Sequence, residues 1–456
     1  MKHFGRKSAR TYDGSDSTND SGTGIAKSVI ITLVIVALYR IGSCLPVPGV
    51  PYKSITELFS SGGSGLTATM SLLNMFAGGS LRYISLFSLS IMPYITATII
   101  MQILTYAVPQ LHEMQQEGEH GASKINQYAR YMTLGLSLLN AIGYFFLFKS
   151  YGVTFANAVA PEWMLNLMFI MSLVGGSMLL MYMGEKITDT NLFQGASILI
   201  LVNVLSSVPT AFYETVTQSS DGVRITVITL IAVLLLTPFL VVMEMGQRRI
   251  PITYGRQLGV ESKFAKQSTY LPLKAMPQGV VPVIFASALV YIPLQLSMFF
   301  PKNTVLQTIA TNMSSGPISW TVQAALIFLF SFFYAIIAMN PDDLAESLAK
   351  QGAFISTPRK RPGTETADYI KHVIYRIVMP ASIVLAAVAI IPNIIMQSTG
   401  NQLLQAFGGT SLLIIIGTVV QCIMAVDSQR TMTAYEGGKF RRHKRHAVFG
   451  ESAVTD

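Results

Sequence analysis

Apolar residues in this chain come in long blocks separated by short polar punctuation. A bilayer core takes about 20 helical residues to cross. Ten blocks approach or exceed that length, roughly residues 25–44, 81–107, 128–148, 164–184, 192–213, 225–243, 279–299, 321–339, 373–395 and 403–425. One apolar stretch breaks the pattern. Residues 66–77 run apolar for only about a dozen positions, too few to span. Gly62-Gly63-Ser64-Gly65 precedes this stretch and Gly78-Gly79 follows it, so it reads as a short plug on two flexible tethers, carrying Leu66, Met70, Leu73, Asn74, Met75 and Phe76. The next block predicts a spanning helix from Leu81 onward, with Pro93 in its middle and Ser85, Ser88, Thr96 and Thr98 along one side. A half-length helix leading into a polar-striped, proline-broken span points to backbone lining a cavity. An interfacial helix followed by an ordinary span fits the same spacing.

Composition agrees with the blocks. Of 456 residues, 51% are hydrophobic and 12% charged, about half the charge of a soluble protein. The first block follows a polar N-terminal stretch and ends in Leu45-Pro46-Val47-Pro48-Gly49, so it reads as a span and not a cleavable signal. The pattern therefore predicts an all-α polytopic membrane protein. Residues 1–24 are rich in Ser, Asp, Gly and Thr and read as a disordered tail.

Charge supplies the orientation. With the N-terminus placed in the cytoplasm and the sides alternating, the outer segments hold only Lys53, Arg82, Lys149, Arg224 and Lys302 of the 32 lysines and arginines. Both termini are then expected in the cytoplasm, and the +9 net charge is mainly this topology signal. Arg40 alone lies well inside a block, where snorkelling or capping of neighbouring backbone is expected. A short outer hinge, residues 214–223, separates 25–213 from 224–425, each half holding five blocks. An odd number per half gives the halves opposite orientations, as in inverted repeats, and places a central pathway between them. Two long basic loops, 246–274 and 340–371, and a basic tail, 426–456, follow on the cytoplasmic side. They exceed what topology requires and read as a docking surface for an acidic or RNA-bearing partner, as well as for anionic lipid. Cys44 and Cys422 are too few and too far apart to imply a disulfide framework.

Enzyme signatures are missing. Gly437-Gly438-Lys439-Phe440 lacks the spacing and hydroxyl of a phosphate loop, and His112-Glu113 has Gln116 where a zinc motif needs histidine. No histidine, aspartate or glutamate falls in a block interior; Glu185 and Glu244 stand at cytoplasmic ends. Coupled carriers generally place ionisable groups at depth. An inverted-repeat secondary transporter of small solutes remains as the alternative, because sodium can be held by carbonyl and hydroxyl oxygens. The first reading is a passive conduit with neutral walls, without metal or cofactor, driven by a partner.

Several segments carry a family resemblance: YRIGSCLPVPGV from Tyr39, LNMFAGG with SIMPYITATIIMQ, EGE followed by KINQYARY, GQRRIPI, LPLKAMPQGVVPVIFA, RPGTETADYI and FGGTSLLIIIG. The chain resembles the SecY/Sec61-alpha family of protein-translocation channels from about Tyr39 through the last block. The resemblance implies ten transmembrane helices in two inverted five-helix halves around a central pore, with the short plug helix at about 66–78. It implies passage of unfolded secretory chains across a bacterial cytoplasmic membrane and sideways release of transmembrane segments into lipid. By the same carry-over the pore ring is Ile91, Ile95, Ile200, Ile284 and Ile414, with Ala196 at a sixth position where isoleucine is common. Such a branched-aliphatic gasket seals around a moving chain and dewets when empty. The lateral gate, between spans two and three and spans seven and eight, carries Thr96, Asn140 and Ser287. Arg248, Arg249 and Arg361 match positions that engage the ribosome or the SecA motor. Implied partners are SecE-like and SecG-like small subunits, SecA, the ribosome, signal peptides, nascent chains and lipid. Between Glu119 and Lys124 the chain reads His-Gly-Ala-Ser, where many relatives place two basic residues.

Overall fold

A computed structural model describes residues 20–47, 77–150, 161–190, 192–218, 222–254, 269–274, 276, 279, 281–299, 304–314, 316–355, 361, 363–399 and 408–450. The plug positions Leu66, Met70, Leu73, Asn74, Met75 and Phe76 lie outside these residues.

The apolar blocks become helices. They are α1 (Asp20–Ser43), α2 (Met92–Ala107), α3 (Pro109–Gln116), α4 (Glu119–Ser150), α5 (Glu162–Thr188), α6 (Gly195–Gln218) and α7 (Gly222–Met245). After two strands, β1 (Gln247–Tyr254) and β2 (Thr269–Lys274), come α8 (Val281–Phe299), α9 (Thr304–Ser314), α10 (Pro317–Met339) and α11 (Pro341–Lys350). A third strand, β3 (Ala353–Ile355), precedes α12 (Thr364–Thr399) and α13 (Gly409–Gly450). Among the described residues, 8 helices are long and apolar enough to cross a membrane, and α2 with α3 forms a further pair bent by 102°. Their outer faces are apolar: Leu234, Leu235 and Val242 of α7 are 73%, 68% and 72% exposed. Surface of that kind belongs in lipid or against a partner helix.

Several boundaries differ from the hydropathy reading, each for a visible reason. The helix of the second block starts at Met92, not Leu81, so Pro93 opens the helix and does not interrupt it. Residues 84–91 form buried turns, pinned by Val47 N–H donating to the Ile84 carbonyl at 2.9 Å and Leu86 N–H to that of Leu45 at 3.1 Å. Ile84 and Ser90 adopt positive φ, 40° and 55°, which no helix tolerates. Ser88 does not stripe a helix: its hydroxyl donates to the carbonyls of Ser85 and Ser80, at 2.7 and 3.1 Å, folding the turn. The expected hinge at 214–223 is mostly helix, with α6 reaching Gln218 and α7 starting at Gly222. Residues 20–24, expected in the tail, are the first turn of α1. Helix α13 continues through 426–450, so the basic tail extends the last span without a break.

The two basic loops also contain strands. β1 pairs antiparallel with β2, Gln247 opposite Lys274, and with β3, Ile252 opposite Ile355. On β1, Ile250 and Ile252 point inward and Arg249 and Pro251 outward, the two-residue period of a half-buried strand. The inward residues join Leu273, Ile355, Ala335, Ile370, Ile374 and Val378 in one buried cluster, fixing the sheet to α10 and α12.

Candidate channel waist and lateral seam

Ile91 and Ile95, Ile200, and Ile414 come from three separate places in the chain. They are 2%, 5%, 9% and 3% exposed and belong to a single buried apolar cluster. Ile284 and Ala196 pack against the same cluster, half-buried. The pore-ring positions named from sequence therefore share one apolar region, the waist.

On the side of the three-stranded sheet, a cavity of about 290 Å³ rests on this waist. Its lining combines the aliphatic Ile95, Ala196, Ile200 and Ile284 with the polar Gln102, Gln194, Ser197 and Gln421 and the charged-type side chains of Glu244 and Lys274. A polypeptide backbone entering the cavity exchanges water for amide partners before it meets a surface that offers none.

On the opposite side of the waist lies a polar collar that the hydropathy pattern does not reveal. Tyr39 of α1 donates its hydroxyl to Asn203 Oδ1 of α6, and Asn203 Nδ2 donates to Ser90 Oγ at 2.9 Å. Tyr39 and Asn203 are 0% and 2% exposed. Ser206 donates to the Gly78 carbonyl at 3.0 Å, and Arg40 Nη1 reaches the same oxygen at 3.5 Å. Arg40 thus caps neighbouring backbone, as its position in the first block predicts. Gly78 holds φ +64°, and a Cβ there would stand 2.7 Å from Asn203 Oδ1. The available signal was Asn203 itself, an amide standing inside an apolar block.

The residues named for the lateral gate are placed differently from one another. Thr96 donates to the Met92 carbonyl at 3.0 Å and Ser287 to that of Val283 at 2.9 Å, each within its own helix. Asn140 is half-buried on α4, which packs against both α2 and α8. The elements of the gate are therefore neighbours, while the hydroxyls of Thr96 and Ser287 back-bond rather than bridge. Arg248 and Arg249 lie exposed on β1, and the Arg249 guanidinium sits 4.8 Å from the Tyr270 ring centroid. Arg361 is exposed just ahead of α12, where its carbonyl accepts the Thr366 hydroxyl at 2.7 Å. Arg130 of α4 pairs with Glu185 of α5 at 2.8 Å.

An aliphatic cluster between a polar-lined cavity and a polar collar, enclosed by apolar helices, fits a helical membrane channel. The sequence profile of the SecY family matches residues 85–423, so the chain belongs to the SecY family. It is 36% identical over 426 residues to the protein translocase subunit SecY of Streptomyces galbus, covering 91% of this chain and 96% of that one. To the corresponding subunit of Mycobacterium tuberculosis strain H37Rv it is 35% identical over 429 residues, with the same coverage. The fold is similar to a solved protein conducting channel, with TM-score 0.58 at 18% identity over 88% of this chain and 92% of the other. It is also similar to Sec61 of the canine ribosome-channel complex, with TM-score 0.53 at 17% identity over the same shares.

Proposed function

We propose that this chain is the channel subunit of a protein translocase in a bacterial cytoplasmic membrane, passing unfolded polypeptides through its waist and apolar segments sideways into lipid. The observation that supports this reading is that Ile91, Ile95, Ile200, Ile284 and Ile414 share one apolar cluster beside a cavity with polar side chains in its lining. Branched aliphatic side chains make no directional bonds, so the seal closes equally well on itself or around a passing chain. In this reading α2 and α8 are spans like the 8 long helices, making ten in two inverted halves, with both termini cytoplasmic. Residues 66–78, including Leu66, Met70, Leu73, Asn74, Met75 and Phe76, act as the plug. Thr96, Asn140 and Ser287 line the gate.

Arg248, Arg249 and Arg361 form the docking face for a ribosome or a SecA-type motor, and SecE-like and SecG-like subunits cover part of the apolar perimeter. Joining both basic loops in one sheet supports a single docking platform, since β1 carries Arg248 and Arg249 and pairs with β3 ahead of Arg361. The deciding experiment places photo-cross-linkers at Ile91, Ile284 and Ile414 and stalls a secretory precursor in the membrane. Cross-links to the precursor are expected at all three, and at none of the lipid-facing positions such as Leu234. A precursor that labels none of the three overturns the proposal. Arg361→Glu should abolish motor-driven export while the channel still inserts; normal export in that variant removes Arg361 from the docking face.

A further inference from the structure

Glu244 has no part in the waist, the collar or the docking face. It stands at the end of α7, is 7% exposed, and lines the same cavity as Ile95, Ile200 and Ile284. The side-chain amide of Gln421, on α13, donates to its carboxylate. Room for that contact comes from Gly279, which holds φ +55°. A Cβ there would collide with Glu244 Oε1 and Gln421 Nε2.

One amide leaves the carboxylate short of partners. An ionised carboxylate offers about four acceptor sites, and burying one is costly unless a cation or several donors face it. Among the described residues Glu244 forms no ion pair. The base whose charge acts on it is Lys274, which ends β2 opposite Gln247 at the start of β1. The Lys274 ammonium stands instead 3.9 Å from Met424 Sδ, a weak acceptor, and the residue is exposed. Nothing strong holds this lysine in place. Glu244 and Lys274 are the one acid and the one base among the described residues lining the cavity.

The rest of the lining selects the occupant. Amide and carboxylate oxygens accept from a cationic donor, while Ile95, Ile200 and Ile284 accept only apolar surface. A bare metal ion uses the first set alone, and Lys274 repels it. A polypeptide with a lysine or arginine ahead of an apolar run uses both sets. That order, basic and then apolar, is the order of a secretory signal.

We propose that Glu244 is a binding site for the lysine or arginine side chain that precedes the apolar segment of an entering polypeptide, with Lys274 as the resident ammonium it displaces. This rests on the channel reading above. A basic residue held at Glu244 keeps its flank on the side of the sheet and brings the apolar residues after it against the waist.

Peptide binding to the purified channel tests this without export. The channel is held in nanodiscs of phosphatidylcholine, which lacks the net negative charge that attracts basic peptides to a membrane surface. The probes are fluorescent peptides with the same short leucine and alanine run, one preceded by Lys-Lys and one by Gln-Gln. Empty discs give the background. The wild type should bind the Lys-Lys peptide on the order of 10-fold more tightly, the low end for a hydrogen bond to a charged group. Glu244→Gln keeps the shape and a partner for Gln421, and should bring the two affinities together. Lys274→Gln removes the competitor and should raise the preference on the order of 2- to 3-fold, as for an exposed charge pair. A general loss of structure cannot move the two variants in opposite directions. Equal wild-type affinity for both peptides overturns the site, and so does an unchanged preference in Glu244→Gln. A lower preference in Lys274→Gln overturns the exchange, and that variant decides the matter even where Glu244→Gln does not fold. Failure of the wild type to bind the Gln-Gln peptide above background refutes the channel reading instead.

Discussion

The waist and the collar lie within a few residues of each other, Ile91 beside Ser90 and Ile200 beside Asn203, yet they are built on opposite principles. The waist is aliphatic. Its contacts are individually weak, without direction, and re-form around whatever fills the space. The collar is a set of directed hydrogen bonds, Tyr39 to Asn203, Asn203 to Ser90 and Ser206 to the Gly78 carbonyl, in which no group is replaceable by another of the same size. The difference teaches how one interior can be adaptable and fixed at once. The aliphatic part, proposed to meet a moving chain, has no geometry to lose, and the part beside it holds the turns at 84–91 and Gly78 in conformations they would not adopt alone.

The contrast is open to attack by substitution. The largest effect is expected in the collar: Asn203→Leu keeps the branched shape but removes the amide that accepts from Tyr39 and donates to Ser90, and should cost about 2–4 kcal/mol, read as a fall in the thermal unfolding midpoint in detergent. Near-wild-type stability would mean the collar is as forgiving as the waist. Next, Ile200→Ala should cost about 2 kcal/mol, the low end for such a truncation, because a cavity already borders the site. It should also raise ion conductance in planar bilayers. An unchanged leak would show that the seal is made elsewhere. Gly78→Ala should cost about 1–2 kcal/mol from the left-handed backbone alone, and more where the new Cβ meets Asn203. Smallest of all, Ile200→Val should cost about 1 kcal/mol with no added conductance, since another branched aliphatic closes the same ring. A leak from that variant would give the waist the same exactness of fit as the collar.

Much of the architecture was legible in the chain itself. Block length marked most of the spans, because crossing an apolar slab sets a minimum run of apolar residues whatever the fold. The pore-ring isoleucines came from the resemblance, and they share one apolar cluster. Harder to read were features whose cause lies far off in sequence. Residues 84–91 are apolar enough for helix and become turns because Leu45 and Val47 hold their backbone. Ser85 and Ser88 looked like one polar face, whereas Ser88 satisfies turn carbonyls. The strand β1 was legible in QRRIPITY by its alternation, but the length and charge of its loop concealed it.

What the order of residues determined alone is the environment. So many apolar runs and so few charges admit only a bilayer, since the free energy of burying apolar surface depends on how much there is and not on its neighbours. What only the tertiary structure decided is which polar groups face each other: Asn203 with Tyr39, and Tyr334 with Gln102. Hydrogen bonds act over about 3 Å, so the pairing of residues more than a hundred positions apart exists only once the helices have packed.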